Sequence, residues 1–308
     1  MENASQERAI RYFTLLSILG NTRHTREMID LREEYHNFVR AGTISDSLIK
    51  AVGSDCPLRS TLTKVTSAFN HLKHYYIVEH GSVGYPPQLA QIPNPPRFLF
   101  LQGDVSLLAK PIVSIVGTRN PSDLGRWRAG KLAALLSRRG IIVASGLAKG
   151  IDAAAHQGTI LAQSTTIAVL GTPLNQVYPR EHAELQSQIA IEGLLVSQFA
   201  PSMAVQRYNF PQRNATMSGI SLATVVIEAG ETSGALIQAD YAIKQGRIVF
   251  IPQSAVDNGN LQWPKKFLAR SRNAFKFSTI EEVEKVLATT LQDFDRPSSS
   301  VSITQASE

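Results

Sequence analysis

Six short apolar runs recur through the middle of the chain, at residues 112–116, 141–144, 166–170, 194–196, 224–227 and 248–251. Segments of about ten or more residues with helical character separate most of them. A run that is apolar at consecutive positions is a strand covered on both faces, and such strands joined by helices form a parallel sheet with helices on either side. The pattern predicts an α/β fold, a Rossmann-like, doubly wound and mostly parallel sheet, over residues 81–292. Residues 1–80 differ. Their apolar positions step by three and four, at Met28, Leu31, Tyr35 and Phe38 and again at Leu62, Val65, Phe69 and Leu72, with breaks at Asn21, Gly42, Gly53 and Pro57. That is a small helical domain of short helices. Tyr75-Tyr76-Ile77-Val78 is strand-like, and the boundary falls near residue 80. A connector rich in Pro and Gly follows and ends in the apolar stretch 98–101. Beyond Pro252, Ile280, Val283 and Val286-Leu287 space as one more helix, and the tail 293–308 reads as disordered.

Composition narrows the classes. With 308 residues, 43% hydrophobic and 18% charged, the chain has the apolar content for a substantial core and is no disordered polyanion or polycation. No apolar run approaches the ~18 residues of a membrane span, so no membrane partner is expected. The stretch 12–19 behind Arg8 and Arg11 has a superficial likeness to a signal peptide. Glu2 and Glu7 spoil its basic flank, and Asn21-Thr22-Arg23-His24 is a poor cleavage site. It is read as a helix and the protein as cytoplasmic. The single Cys56 excludes an intrachain disulfide and fits a reducing compartment. The net charge is +6, and residues 81–251 hold fourteen basic against nine acidic side chains. A basic domain favours an anionic partner.

In an open parallel sheet ligands bind beyond the carboxyl ends of the strands, so the candidate chemistry sits just after each apolar run. Gly117-Thr118-Arg119-Asn120 follows the first. Glycine admits close backbone approach, Thr118 and the next helix N-terminus supply donors, and Arg119 offers a planar fork for phosphate. The alternative is a plain turn with a solvated arginine. Ser145-Gly146-Leu147-Ala148-Lys149-Gly150-Ile151-Asp152 follows the second, either as another anion cradle or as a turn capped by Asp152. His156 behind it is read as structural. Tyr208-Asn209-Phe210-Pro211-Gln212-Arg213-Asn214 precedes the fifth run and places an aromatic beside an arginine, the pairing that suits a base and its phosphate. Phe210 as a core residue is the alternative. After the fifth run, Ser233 and Gly234 can form a third anion-binding turn. Glu228 serves either as a base or as a tie between loops, and the second is expected. Together these loops predict one site for a phosphate-bearing ligand, with Arg119, Lys149 and Arg213 as its charges. No cofactor or metal is expected: there is no Gly-Lys-Ser/Thr phosphate loop, and His71, His74 and His80 lack ligand spacing.

These motifs resemble the DNA-processing protein A (DprA, or Smf) family. The stretches that carry the likeness are Tyr85-Pro86, Ile115-Val116-Gly117-Thr118-Arg119, Ser145-Gly146-Leu147-Ala148-Lys149-Gly150-Ile151-Asp152, Tyr178-Pro179, Phe210-Pro211-Gln212-Arg213-Asn214 and Glu228-Ala229 with Ser233-Gly234. They cover roughly residues 80–252 in order. The resemblance implies a single-stranded DNA-binding protein without catalytic turnover, a homodimer, and a recombination mediator that helps load RecA during natural transformation. It implies phosphate contacts from Arg119, Lys149 and Arg213 and base stacking on Phe210. Gly117, Thr118, Ser145, Gly146, Asn214, Ser233 and Gly234 complete the expected interface. The sequence departs from the family at Ala215, where an arginine is usual, at Ser197-Gln198, where Ser-Glu is usual, and at Pro252-Gln253, where Pro-Gly is usual. With little more than forty residues between Pro252 and the polar tail, the family's frequent C-terminal winged helix is not expected here.

Two further readings stand beside this one. Residues 263–277 interleave five basic side chains with four aromatics. They either extend a nucleic-acid path or form an amphipathic helix with a solvated basic face, and the helix is expected. The wider superfamily resembles nucleotide sensors and phosphoribohydrolases that cleave nucleoside monophosphates. Such hydrolases show Pro-Gly-Gly-X-Gly-Thr followed by a glutamate. Here the matching loop, Glu228 to Gln238, has neither the glycine run nor the trailing carboxylate that hydrolysis needs. A purely scaffolding protein is a third possibility.

Overall fold

The computed structural model describes residues 2–21 and 57–294. In chain order the elements are α1 (Glu2–Asn21), α2 (Pro57–His71), β1 (Tyr76–Glu79), α3 (Pro87–Ala90), β2 (Phe98–Gly103), β3 (Ile112–Val116), α4 (Asp123–Ser137), β4 (Ile142–Ser145) and α5 (Ile151–Leu161). They continue with β5 (Thr166–Leu170), α6 (Ala183–Glu192), β6 (Leu194–Ser197), α7 (Asn209–Ile220), β7 (Ala223–Val226), α8 (Gly234–Lys244) and β8 (Ile248–Pro252). Last come α9 (Gln253–Val256), α10 (Trp263–Arg270), β9 (Ala274–Phe277) and α11 (Ile280–Phe294). The expected runs therefore become β3 to β8, with no end displaced by more than one residue. The periodicity at Met28 to Phe38, Cys56 and the tail from residue 295 lie outside the described residues.

The strands form one sheet in the order β1-β2-β6-β5-β4-β3-β7-β8-β9. β6 through β9 are mutually parallel, whereas β1–β2 and β2–β6 pair antiparallel. From β3 the chain winds outward through β4 and β5 to β6, then returns to lay β7 on the other side of β3. The order reverses between β3 and β7, and that reversal opens a crevice at their carboxyl ends.

Side-chain alternation sorts the helices into two layers. Ile112 and Val116 of β3, Ile167 and Val169 of β5 and Leu99 and Leu101 of β2 face one layer, where Met217 of α7, Ala239 of α8 and Trp263 of α10 cover them. Val113 and Ile115 face the opposite layer, against Ala129 and Leu136 of α4, Ala155 of α5 and Val283 of α11. On that same side, Phe98 and Phe100 of β2 and Leu170 of β5 meet Phe13 of α1 and Phe69 of α2. The amino-terminal helices thus share a core with the sheet. Glu79, buried at the end of β1, ties them down by accepting from Arg8 Nε and Arg97 Nη2, each at 2.7 Å.

Pro57, expected as a break between short helices, is the first residue of α2, where proline is tolerated because the first N–H has no partner. Two local differences from the expected elements have simple causes. The stretch at 98–101 is a full strand, because β6 offers it an antiparallel edge. Residues 263–277 are not one amphipathic helix. They divide into α10 and the strand β9, with Trp263, Phe267 and Phe277 buried and Lys265, Lys266, Arg270, Arg272 and Lys276 in solvent. Among the described residues no helix is long and apolar enough to cross a membrane.

Candidate nucleic-acid interface

A cleft of about 410 Å³ lies at the β3/β7 reversal, bordered by Gly117, Thr118, Arg119, Asn214, Ser233 and Gly234. A narrower pocket of about 40 Å³ takes in Gly146, Lys149 and Tyr178. Arg119, Phe210 and Arg213 line both, so the two are one continuous recess. Of the residues expected at the site, Ser145 alone stands outside it. Its hydroxyl is buried and donates to Ile115 O at 2.6 Å, which pins β4 to β3 and leaves no donor for a ligand.

The loops are locked together by the residues that make the sequence motif. Thr118 N donates to Glu228 O at 2.7 Å, and the Glu228 carboxylate accepts from Ser122 N at 3.1 Å and Ser122 Oγ at 2.8 Å. Ser122 Oγ in turn accepts from Gly125 N and caps α4. Glu228 is therefore the tie between the loops after β3 and β7. Gly150, at φ +80°, brings the β4 loop onto the β3 loop, where any Cβ would strike Thr118 O. Ile151 N then donates to Thr118 O at 3.2 Å. From the first turn of α5, Asp152 Oδ2 reaches back to accept from Gly146 N at 3.1 Å and Ala148 N at 3.4 Å. Leu147 between them is held in the left-handed region at φ 57°, with its side chain buried and its carbonyl accepting from His182 Nδ1 at 2.9 Å. Ser233 caps α8 by accepting from Ala235 N at 3.3 Å, so the positive end of that helix faces the cleft.

The three expected charges play different parts. Arg119 is exposed at the meeting of the two pockets. Lys149 is half-exposed and its Nζ pairs with Glu181 Oε2 at 2.6 Å. Arg213 is buried: its Nη1 donates to Gly146 O and, at 2.6 Å, to Val169 O, and its Nε donates to Asn214 Oδ1 at 3.0 Å. Arg213 thus braces the ends of β4 and β5 from the floor of the recess. Burial pulls its pKa down, and the neighbouring Asp152 charge pushes back. Asp152 shows the mirror image. Burial pushes its carboxyl above the usual range, against the pull of Arg213, the Ala148 and Gly146 N–H groups and Arg119. His156 lies beneath, fully buried, with Nδ1 2.8 Å from Thr166 Oγ1. Burial, with the His182 and Arg213 charges, takes its pKa down to about 3, so it is a neutral structural residue.

Aromatic rings edge the recess. Phe210 is half-buried and packs on Gly171, where a Cβ would sit 2.6 Å from its ring. Tyr178 stands 5.2 Å from Phe210 and is 48% exposed. Tyr178 was visible in sequence only as part of the Tyr-Pro motif. Glu181 carried no signal, because an acid on a solvent-facing turn looks like any other.

Glu181 makes a direct prediction. The exposed pair with Lys149 is worth at most about 1 kcal/mol, but it occupies a cation that faces the recess. Glu181→Gln is expected to tighten binding of a short oligothymidine about two- to fivefold at low salt and to lose that gain at high salt. Titration of both proteins at two ionic strengths checks this, and equal affinities at low salt would show that Lys149 does not meet the ligand.

A doubly wound sheet with a cationic, aromatic-edged recess at its switch point defines an α/β protein shaped for a phosphate-bearing ligand. The profile of the DNA recombination-mediator protein A family matches residues 76–287, and the chain belongs to that family. Over 179 residues it is 40% identical to DNA processing protein DprA of Bacillus subtilis, covering 58% of this chain and 60% of that one. It is 44% identical over 176 residues to protein Smf of Synechocystis, covering 55% and 44%. The chain therefore matches about half the length of these curated relatives. The crystal structure of DprA from Streptococcus pneumoniae superposes with a TM-score of 0.66 at 28% identity, covering 75% of this chain and 83% of that one. DNA processing protein A from Helicobacter pylori, whose structure concerns its single-stranded DNA binding mode, superposes at 0.61 with 26% identity, covering 72% and 98%.

Proposed function

We propose that this protein binds single-stranded DNA in the switch-point recess, without chemical turnover, and hands the strand to a RecA-type recombinase. The observation that carries the reading is the division of labour among charges. Arg119, Lys149 and the α8 N-terminus face the recess, while Asp152, the acid of its lining, is engaged by the Gly146 and Ala148 N–H groups, and Glu228 behind the lining is tied to Ser122. Cations and aromatic edges suit phosphates and bases. A hydrolase would need an uncommitted carboxylate at the same place. Family membership supports the finer parts of the reading: a cytoplasmic homodimer acting in natural transformation.

Binding of oligothymidine across a salt series tests it. Neutralising about three or four phosphates gives a log–log slope of about −2 to −3, from ~0.7 per contact on single strands. Duplex of the same length is expected to bind more weakly, because its bases are stacked away from Phe210 and Tyr178. A flat salt dependence, or equal affinity for duplex, would overturn the reading. Incubation with nucleoside monophosphates is expected to release no free base, and release would establish the hydrolase instead.

A further inference from the structure

We propose that a second groove, on the outer face of α4, receives the same strand as it leaves the switch-point recess. The inference rests on the reading above and extends it to a surface that, Pro252-Gln253 apart, lies outside the stretches that carry the family likeness. The groove, about 530 Å³, lies between α4 and the carboxyl ends of β8 and β9. Trp127, Arg128 and Lys131 form one wall, and Phe277 and Ile280 contribute to the other.

Trp127 is the unusual residue. The chain has two tryptophans. Trp263 is buried and donates its Nε1 to Ala229 O at 2.9 Å, whereas Trp127 is 57% exposed. Leu124, 52% exposed and three residues earlier on α4, lies on the same helix face, so the two side chains make an exposed apolar pair there. The Trp127 ring face is covered by the Lys131 ammonium, 4.5 Å from the ring centre. Arg128 leans across the groove and donates to Ser254 Oγ at 3.1 Å. A ring flanked by two cations one helical turn apart matches a nucleotide, with the base on the indole and the lysine displaced to a phosphate. The acidic residue of the lining is Glu281, and Arg139 Nη2 approaches it to 3.7 Å.

Continuity with the recess argues for the strand over a protein partner. Ile227 lines the groove while Gly230 and Thr232 line the recess, with Glu228 and its tie to Ser122 between them. Both openings face the carboxyl edge of one sheet, on either side of that tie. Along α4, Trp127 stands only about 7.5 Å beyond Ser122 at 1.5 Å per residue. A flexible strand leaving Arg119 meets this ring next, and the cations beside it repel a basic surface and attract phosphates.

Intrinsic fluorescence reads the groove directly, because Trp263 is buried and serves as the internal reference. We titrate the full chain with oligothymidines of about four and about twenty nucleotides. The short one is expected to bind without quenching, and the long one to quench the exposed tryptophan. Trp127→Ala is expected to weaken the long oligomer on the order of tenfold and to leave the short one unchanged. The substituted position is in solvent, and unchanged Trp263 emission and circular dichroism verify the fold. Long-oligomer binding that depends on Arg119 but neither quenches nor responds to Trp127→Ala overturns the groove and leaves the recess reading intact. Failure of both lengths to bind overturns both. If Trp127→Ala changes sedimentation while DNA affinity is unaltered, the groove belongs to a second copy of the chain and the proposal falls.

Discussion

Arg213→Ala is expected to lower the stability of the fold by about 3–5 kcal/mol, more than any exposed substitution at the site. The side chain is 6% exposed, and its removal strands two buried carbonyls, Gly146 O and Val169 O. It also takes the strongest counter-charge away from Asp152. The sign with pH follows from that carboxyl. Its folded pKa is already raised by burial, so the folded state takes up a proton at a higher pH than the unfolded chain does. Losing Arg213 raises it further. The variant's deficit is therefore largest at neutral pH and narrows as the pH falls into the range where Asp152 protonates. Urea melts at several pH values measure this, and Asp152→Asn in the Arg213→Ala background is expected to restore part of the loss. A deficit that does not change with pH, with no rescue, would show that the two residues are not electrostatically coupled.

Arg119→Glu is expected to weaken single-stranded DNA binding on the order of ten- to a hundredfold at low salt, by the same factor for every sequence tested. Arg119 is exposed and its side chain makes no hydrogen bond or ion pair among the described residues, acting on Asp152 only weakly through space, so thermal stability is expected to change by less than about 0.5 kcal/mol. The salt slope is expected to fall by roughly one to two contacts' worth, at ~0.7 each, because a repulsion replaces an attraction. Electrophoretic mobility of fluorescent oligomers of two compositions reads both quantities. An unchanged affinity would move the ligand away from the carboxyl ends of β3 and β4. The two variants separate floor from rim: one is felt first in folding, the other in binding.

Much of this architecture was legible in the chain because buried parallel strands write themselves as unbroken apolar runs. β3 to β8 are of that kind, and their covered faces need no knowledge of partners. The antiparallel pairing of β2 with β6 was hidden, since nothing near residue 98 records a partner near residue 197. β9 was hidden for another reason. Ala274-Phe275-Lys276-Phe277 alternates with a period of two, but the lysines and aromatics just before it also satisfy a helical period, and the segment reads either way. At the site, the glycines and the turns that open α4, α5 and α8 could be found by position after each run. The role of Arg213 could not, because an arginine beside an aromatic looks the same whether it faces a ligand or folds under toward carbonyls 67 and 44 residues away in sequence. Ser145 misled similarly: a hydroxyl at a strand end can serve a neighbouring strand as readily as an anion.

The left-handed backbone of Leu147 carries a consequence for how quickly and how tightly a ligand is captured. A bulky residue adopts that conformation only when its surroundings impose it, and here Asp152, His182 and the core beneath do so. The strain is met once, when the chain folds. If the recess takes a single strand as proposed, the strand meets a preformed mould, and the ordering entropy of association falls mainly on the strand and little on the protein.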